Sequence, residues 1–177
     1  MNIILGISGG IAAYKTPDLV RKLTKAGHQV QSVMTHSASQ FVTPLALQAV
    51  SGRIVRTELF DVQAESAMDH IELARWADTI LIAPATAHKI AQLANGMADD
   101  LLTTLCLAST APLVIAPAMN QQMWKHAATQ ENIQRLLERG VQLIGPAEGE
   151  QACGETGFGR MVEPEDIVNA LQPHAKQ

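Results

Sequence analysis

The chain has 177 residues, 47% of them hydrophobic, and a net charge of −4. That length suits one domain burying about 70% of its unfolded surface. The acidic balance and the lack of a basic block exclude a nucleic-acid partner, and no apolar run is long enough to cross a membrane. Two cysteines give no disulfide framework. Met1 runs directly into the strand-like Ile3-Ile4-Leu5 with no basic leader, so a reducing cytoplasm is the expected compartment.

In chain order, Asn2–Ser8 reads as a first strand and Ser8-Gly9-Gly10 as a turn. Leu19, Val20 and Leu23 recur at helical spacing within Ala12–Ala26, which Gly27 closes. Gln29–Met34 is a second strand. Ser37–Val50 is helical with an interruption near Pro44, and Asp61–Asp69 is a polar loop. His70–Trp76 is a short amphipathic helix, and Asp78–Ala83 a third strand. Thr86–Ala94 and Asp100–Ala108 are helices, and Leu113–Ala116 a fourth strand. Ala127–Arg139 is a helix ended by Gly140, and Val141–Ile144 a fifth strand. Gly145–Gly159 is glycine-rich and irregular, and Pro164–Leu171 is a last helix with proline in its first turn. Strands alternating with helices predict an α/β fold: a doubly wound, mostly parallel sheet with helices on both faces, Rossmann-like.

The ends of these strands carry small polar groups. Gly9 and Gly10 stand between the first strand and first helix, where backbone N–H groups can approach an anion. The pattern is neither G-x-G-x-x-G nor a Walker loop, and a plain tight turn reads the same residues. Thr35 and Ser37 end the second strand and Thr86 the third; each hydroxyl could hold a phosphate or cap a helix. Three such ends together favour a flat phosphorylated ligand. Asn120, after the run Leu113-Val114-Ile115-Ala116, lies where open α/β sheets bind ligands. Its amide can donate to a carboxylate without adding charge.

His70 is a possible proton carrier or a helix cap. Cys106 lies in an apolar helix and reads as core. Cys153, in Ala152-Cys153-Gly154, reads as an accessible thiol able to act as acid or nucleophile, or as an incidental loop cysteine. No spacing of Cys, His, Asp and Glu suggests a metal site. Two Trp, one Tyr and three Phe are few for a chain that covers a flat cofactor alone, so apolar side chains, backbone or a neighbouring subunit must supply the cover.

Five segments together resemble the flavin-dependent cysteine decarboxylases, and within them the branch that acts on 4′-phosphopantothenoylcysteine. They are Ser8-Gly9-Gly10-Ile11-Ala12-Ala13-Tyr14-Lys15, His70-Ile71-Glu72-Leu73 with Trp76-Ala77-Asp78, Ala83-Pro84-Ala85-Thr86-Ala87, Pro117-Ala118-Met119-Asn120 with Met123-Trp124, and Ala152-Cys153-Gly154 with Gly159-Arg160-Met161. The resemblance runs nearly end to end.

It implies a single FMN-binding domain over 1–177 that converts 4′-phosphopantothenoylcysteine to 4′-phosphopantetheine in coenzyme A biosynthesis. The flavin would oxidise the cysteine unit to a thioaldehyde, CO2 would leave, and the enethiol would be reduced again. On this resemblance Asn120 would hold the substrate carboxylate and His70 would assist oxidation or position the substrate. Cys153 would donate a proton from a substrate-covering loop over 147–160, and Met123, Ala152 and Gly154 would line the substrate pocket. Gly9, Gly10, Ile11, Thr35, Ser37, Thr86 and Ala118 would contact FMN. It also implies a homotrimer, or a dodecamer of trimers, with flavin at the subunit interface.

His88-Lys89 departs from the small polar pair of many relatives. Bifunctional bacterial members continue into a synthetase domain; this chain ends at Gln177, and no ligase activity is expected of it. Flavin prenyltransferases share the fold but lack the Pro-Ala-Met-Asn and Ala-Cys-Gly segments. Regulatory flavoproteins usually carry long tails that are missing here. A peptidyl-cysteine decarboxylase would differ mainly in what its pocket recognises. A generic NAD domain is disfavoured, because Met34-Thr35 stands where an acidic residue would end the second strand.

Overall fold

A computed structural model describes residues 1–59, 70–150, 152 and 154–171 of the chain. Five parallel strands, β1 (Asn2–Ile7), β2 (Gln29–Met34), β3 (Thr79–Ala85), β4 (Leu113–Pro117) and β5 (Gln142–Leu143), form one sheet in the order β2-β1-β3-β4-β5. β1 pairs with β2 from Asn2↔Gln29 to Ile7↔Met34 and with β3 from Ile3↔Thr79 to Gly6↔Ile82. The chain therefore winds one way from β1 to β2 and the other way from β3 outward. The carboxyl ends of β1 and β3 flank the switch point, where doubly wound sheets of this order leave a ligand crevice.

β1, β3 and β4 are nearly continuous apolar runs because both faces are covered, whereas β2 carries buried Gln31 and Ser32 between Val30 and Val33. Ile3, Leu5 and Ile7 pack on one face with Leu19, Val20 and Leu23 of α1 (Thr16–Lys25), Leu47 of α2 (Pro44–Ser51) and Ile167 of α8 (Pro164–Leu171). Ile4 points to the opposite face. There it meets Leu73 of α3 (His70–Trp76), Ile90 of α4 (Ala87–Ala94), Leu102 and Leu105 of α5 (Leu101–Ala108), and Ile133 of α7 (Ala127–Glu138). Each fully buried Leu or Ile contributes about 1.5–3 kcal/mol by leaving water. Gly6 admits Leu102 against the strand: a Cβ there would lie 2.5 Å from Leu102 Cδ1.

The structure departs from the sequence reading in three places. The expected first helix begins as a 3-10 turn over Ile11–Lys15, and α1 proper starts at Thr16, with proline in its first turn. The helix expected over Ser37–Val50 is a 3-10 turn, His36–Gln40, followed by α2 beginning at Pro44. The segment read as irregular is an antiparallel ribbon of β6 (Ala147–Glu150) and β7 (Thr156–Arg160). In β7 buried Gly157 and Gly159 alternate with exposed Thr156, Phe158 and Arg160, and in β6 half-buried Ala147 and Gly149 alternate with exposed Glu148 and Glu150. Neither strand therefore sets large apolar side chains on its inner face as recognisable strands do. The polar loop expected over Asp61–Asp69 lies outside the described residues. No described helix is long and apolar enough to cross a membrane.

Candidate active site

The crevice is built first by a buried hydroxyl. Ser8, 1% exposed, donates from Oγ to the Pro84 carbonyl at 2.7 Å and accepts from the Thr86 N–H at 3.0 Å. This ties the turn after β1 to the end of β3 across the switch point. Gly9 then packs directly on Ser37: a Cβ at Gly9 would sit 2.4 Å from Ser37 Cβ and 2.8 Å from its carbonyl carbon. Only glycine permits that approach. Gly10 faces Thr86, whose methyl would lie 3.3 Å from an added Cβ.

The hydroxyls have divided duties. Thr35 Oγ1 accepts from the Ala38 N–H at 3.3 Å and shares a 3.2 Å hydrogen bond with Ser37 Oγ. Thr86 Oγ1 caps α4, accepting from the Lys89 N–H at 3.2 Å. At the end of β4, the Ala118 N–H donates to the Ala85 carbonyl at 3.0 Å, and the Met119 N–H to the Gly159 carbonyl of β7 at 2.9 Å. Asn120 caps the short helix α6 (Gln121–Lys125), its Oδ1 accepting from the Gln122 N–H at 2.8 Å. The cap fixes that amide's orientation: with Oδ1 turned to the helix, Nδ2 faces away and donates to Glu155 Oε2 at 3.3 Å.

These ends enclose a cleft of about 790 Å³, a volume suited to a cofactor. Gly9, Gly10, Ile11, Ser37, Thr86, Ala118, Asn120, Met123 and Ala152 all line it, so the structure gathers most of the sequence-derived site into one place. Three other expected site residues fall elsewhere. Thr35 is buried and does not line the cleft, but shares a hydrogen bond with Ser37, which does. Gly154 turns the ribbon with a φ of +82° and does not line the cleft. His70 opens α3, half-buried, and is not among the described lining residues of its own chain's cleft. Cys153 lies outside the described residues.

The sequence reading missed Tyr14, Lys15, Glu150 and Arg160, which add charge and an exposed ring to the cleft wall. Lys15 and Arg160 stood inside the quoted motifs without a role. Both bond to Glu163, Lys15 Nζ at 2.8 Å, and these two bonds hold the Glu163 carboxyl below its ordinary range. Of the departing pair, His88 lines the cleft. Lys89 turns away, 2% exposed, and pairs with Asp100 at 2.5 Å. Burial opposes charge on Asp100, but the bonds from Lys89 and from the Thr103 N–H and hydroxyl outweigh it and lower its pKa. Cys106, read as core, is partly buried and packs against the core cluster; desolvation pushes its thiol up to about 12 despite the opposing field of Lys89. No group of His, Cys, Asp and Glu among the described residues could hold a metal ion.

The fold and cleft define a class: a doubly wound α/β protein with a mononucleotide-sized site at its switch point. Residues 1–176 match the model of the Flavoprotein family, and the chain belongs to that family. It is 61% identical over 166 residues, 94% of its length, to the coenzyme A biosynthesis bifunctional protein CoaBC of Vibrio cholerae, and covers 42% of that protein. The chain thus spans about two fifths of the length of the curated relatives it matches. Among solved structures it is similar to a mutant PPC decarboxylase complexed with pantothenoylaminoethenethiol. That match has a TM-score of 0.84 and 34% identity, over 97% of this chain and 96% of the other. The FMN-binding protein AtHal3 matches with a TM-score of 0.82 and 35% identity, over 97% and 94% of the two chains.

Proposed function

We propose that the chain is an FMN-dependent decarboxylase that converts 4′-phosphopantothenoylcysteine to 4′-phosphopantetheine in cytoplasmic coenzyme A synthesis. The observation that carries this is the Asn120 amide, held by its cap at the lip of a flavin-sized cleft and already donating to a carboxylate. The identity to coenzyme A biosynthesis proteins supports the substrate, and the likeness to a PPC decarboxylase supports the reaction.

The residues present fit FMN. The glycine turn at Gly9 and Gly10 leaves backbone open to the cleft, and Ser37 and Thr86 offer hydroxyls beside it. Ile11 and Ala118 supply apolar cover. When bound, FMN provides a two-electron acceptor that takes electrons from the cysteine Cβ–S unit and returns them after CO2 has left. Asn120 binds the carboxylate and orients the Cα–carboxylate bond that breaks; a proton takes its place in the product. Met123, on α6 beside Asn120, lines the same cleft. Cys153, which follows the cleft-lining Ala152 in sequence, donates the proton in the reductive step.

His70 acts in the cleft of a neighbouring subunit of a homotrimer or a dodecamer of trimers, with flavin between subunits. Two observations support this: its position outside its own cleft lining, and the exposure at the cleft of Ile11 (57%) and Tyr14 (61%). Mixing His70→Asn and Asn120→Asp subunits should restore about a quarter of wild-type turnover by pairing intact halves in random assembly; no recovery would place His70 in its own subunit's site.

The test of the function is incubation of the FMN-loaded protein with 4′-phosphopantothenoylcysteine, without nicotinamide, and mass analysis of the product. Loss of CO2 to give 4′-phosphopantetheine is expected. An unchanged substrate would overturn the reading.

A further inference from the structure

The lip of the cleft carries a carboxylate of the chain's own. Glu155, in the turn of the β6–β7 ribbon, places Oε2 at 3.3 Å from Asn120 Nδ2 and 3.1 Å from Gln121 Nε2. One oxygen accepts from two side-chain amides on consecutive residues at the end of β4. The ribbon is held to the same segment by the Met119 N–H to Gly159 carbonyl bond, and Gly157 packs so closely on Gln121 that a Cβ there would lie 3.2 Å from Gln121 Cβ. The ribbon's docking therefore sets Glu155 against the amides, and the contact is more than a chance meeting of two free loops.

We propose that Asn120 and Gln121 form a two-amide carboxylate site, and that Glu155 fills it as an internal competitor which the substrate carboxylate displaces. The proposal rests on the reading of Asn120 as the carboxylate-binding residue, and adds Gln121 as a second carboxylate-binding residue and Glu155 as the occupant of the site. Two neutral donors suit this exchange. They bind an ionised carboxylate by charge-assisted hydrogen bonds, yet add no charge that would hold either carboxylate permanently. The Glu155 contact is exposed to water, so it is worth little and can be released. A site filled by its own chain binds its ligand more weakly in proportion to the fraction left open. When the substrate takes the amides, Glu155 is freed, and the ribbon bearing Ala152 and Gly154 is no longer fixed through that carboxylate.

The experiment uses the FMN-loaded full chain as wild type, Glu155→Ala, and Glu148→Ala, which removes a like charge from the same ribbon. The first probe is the oxygen analogue of the substrate, hydroxyl for thiol, which keeps the carboxylate but has no thiol to oxidise. Glu155→Ala should bind it about tenfold more tightly than wild type if the internal carboxylate fills about nine sites in ten. Affinity for 4′-phosphopantetheine, which lacks the carboxylate, should stay the same. Glu148→Ala should match wild type for both ligands. Equal affinity of Glu155→Ala and wild type for the analogue, or an equal gain for 4′-phosphopantetheine, overturns the competitor.

The second probe is acetate, followed by the side-chain amide signals of Asn120 and Gln121 in ¹⁵N-labelled protein. Both signals should move in Glu155→Ala at acetate concentrations that leave wild type unmoved. Movement of neither signal, or equal movement in both proteins, overturns the two-amide site. This second arm needs no turnover, so it still decides the proposal if the decarboxylase reading fails.

Discussion

The two walls of the cleft are built in opposite ways. On the side of β1 and β3, polar groups are buried and satisfied: Ser8 spans the switch point, and Gly9 abuts Ser37 with no space for a methyl group. On the ribbon side, beyond the Met119–Gly159 backbone bond and the packing of Gly157 on Gln121, the charged contacts are exposed to water: Glu155 on Asn120 and Gln121, and Arg160 on Glu163. Buried bonds are costly to break, because the groups left behind find no water; exposed pairs exchange readily with solvent. On the proposed function, the first wall would serve as a fixed cradle for a cofactor that stays, and the second as a surface that accepts and releases a substrate.

Four substitutions sharpen or break this contrast. The largest effect belongs to Asn120→Asp, which sets a charge against the substrate carboxylate. Turnover should fall about a thousandfold or more while FMN, held by the other wall, remains bound; near-wild-type rates in a steady-state assay would remove Asn120 from its role. Next is Lys89→Met, which leaves the partly exposed Asp100 carboxylate to its Thr103 bonds alone and should cost about 2 kcal/mol in denaturant unfolding. Here the pH dependence has a defined sign. The folded Asp100 pKa is lowered, so its stabilisation is present above the unfolded value of about 3.9 and is lost as pH falls through the folded one. Wild type should therefore lose its advantage over Lys89→Met in that acid range, and an advantage unchanged at low pH would deny the pair its role.

Gly9→Ala comes third. Its methyl cannot fit against the Ser37 backbone, and the forced shift of about 1–3 kcal/mol should weaken FMN binding about tenfold or more, read by flavin fluorescence titration. Unaltered FMN affinity would show that the cradle yields. The smallest effect is Gln121→Ala, one exposed amide on the exchangeable wall. It should raise the substrate KM about threefold with kcat little changed; a fall in kcat alone would move Gln121 from binding to chemistry.

β1, β3 and β4 were legible in the sequence because they are buried on both faces and read as nearly unbroken apolar runs; β2, with Gln31 and Ser32 in its middle, does not read that way. Gln29–Met34, His70–Trp76 and Pro164–Leu171 have the bounds the sequence suggested. The ribbon was not legible: Glu148, Gly149, Glu150, Gly157 and Gly159 give no apolar period, and its pairing depends on docking against the end of β4. The strand-end residues that line the cleft were legible because small polar groups recur where parallel strands stop. Ser8 was passed over as part of a turn. A hydroxyl directly before two glycines at a strand end was the available signal, but its two partners lie 76 and 78 residues away. Lys89 looked like a departure in the cofactor site. Its true partner, Asp100, belongs to the next helix cap, and nothing in local spacing links them.

The most direct test of the central claim is an anaerobic absorbance trace of the FMN-loaded protein mixed with 4′-phosphopantothenoylcysteine. The account predicts that the flavin band bleaches as the cysteine unit is oxidised and returns in full once the decarboxylated enethiol has been reduced, with one CO2 released per substrate consumed. A flavin band that never changes while substrate remains intact, or a protein that takes up no FMN, would contradict it.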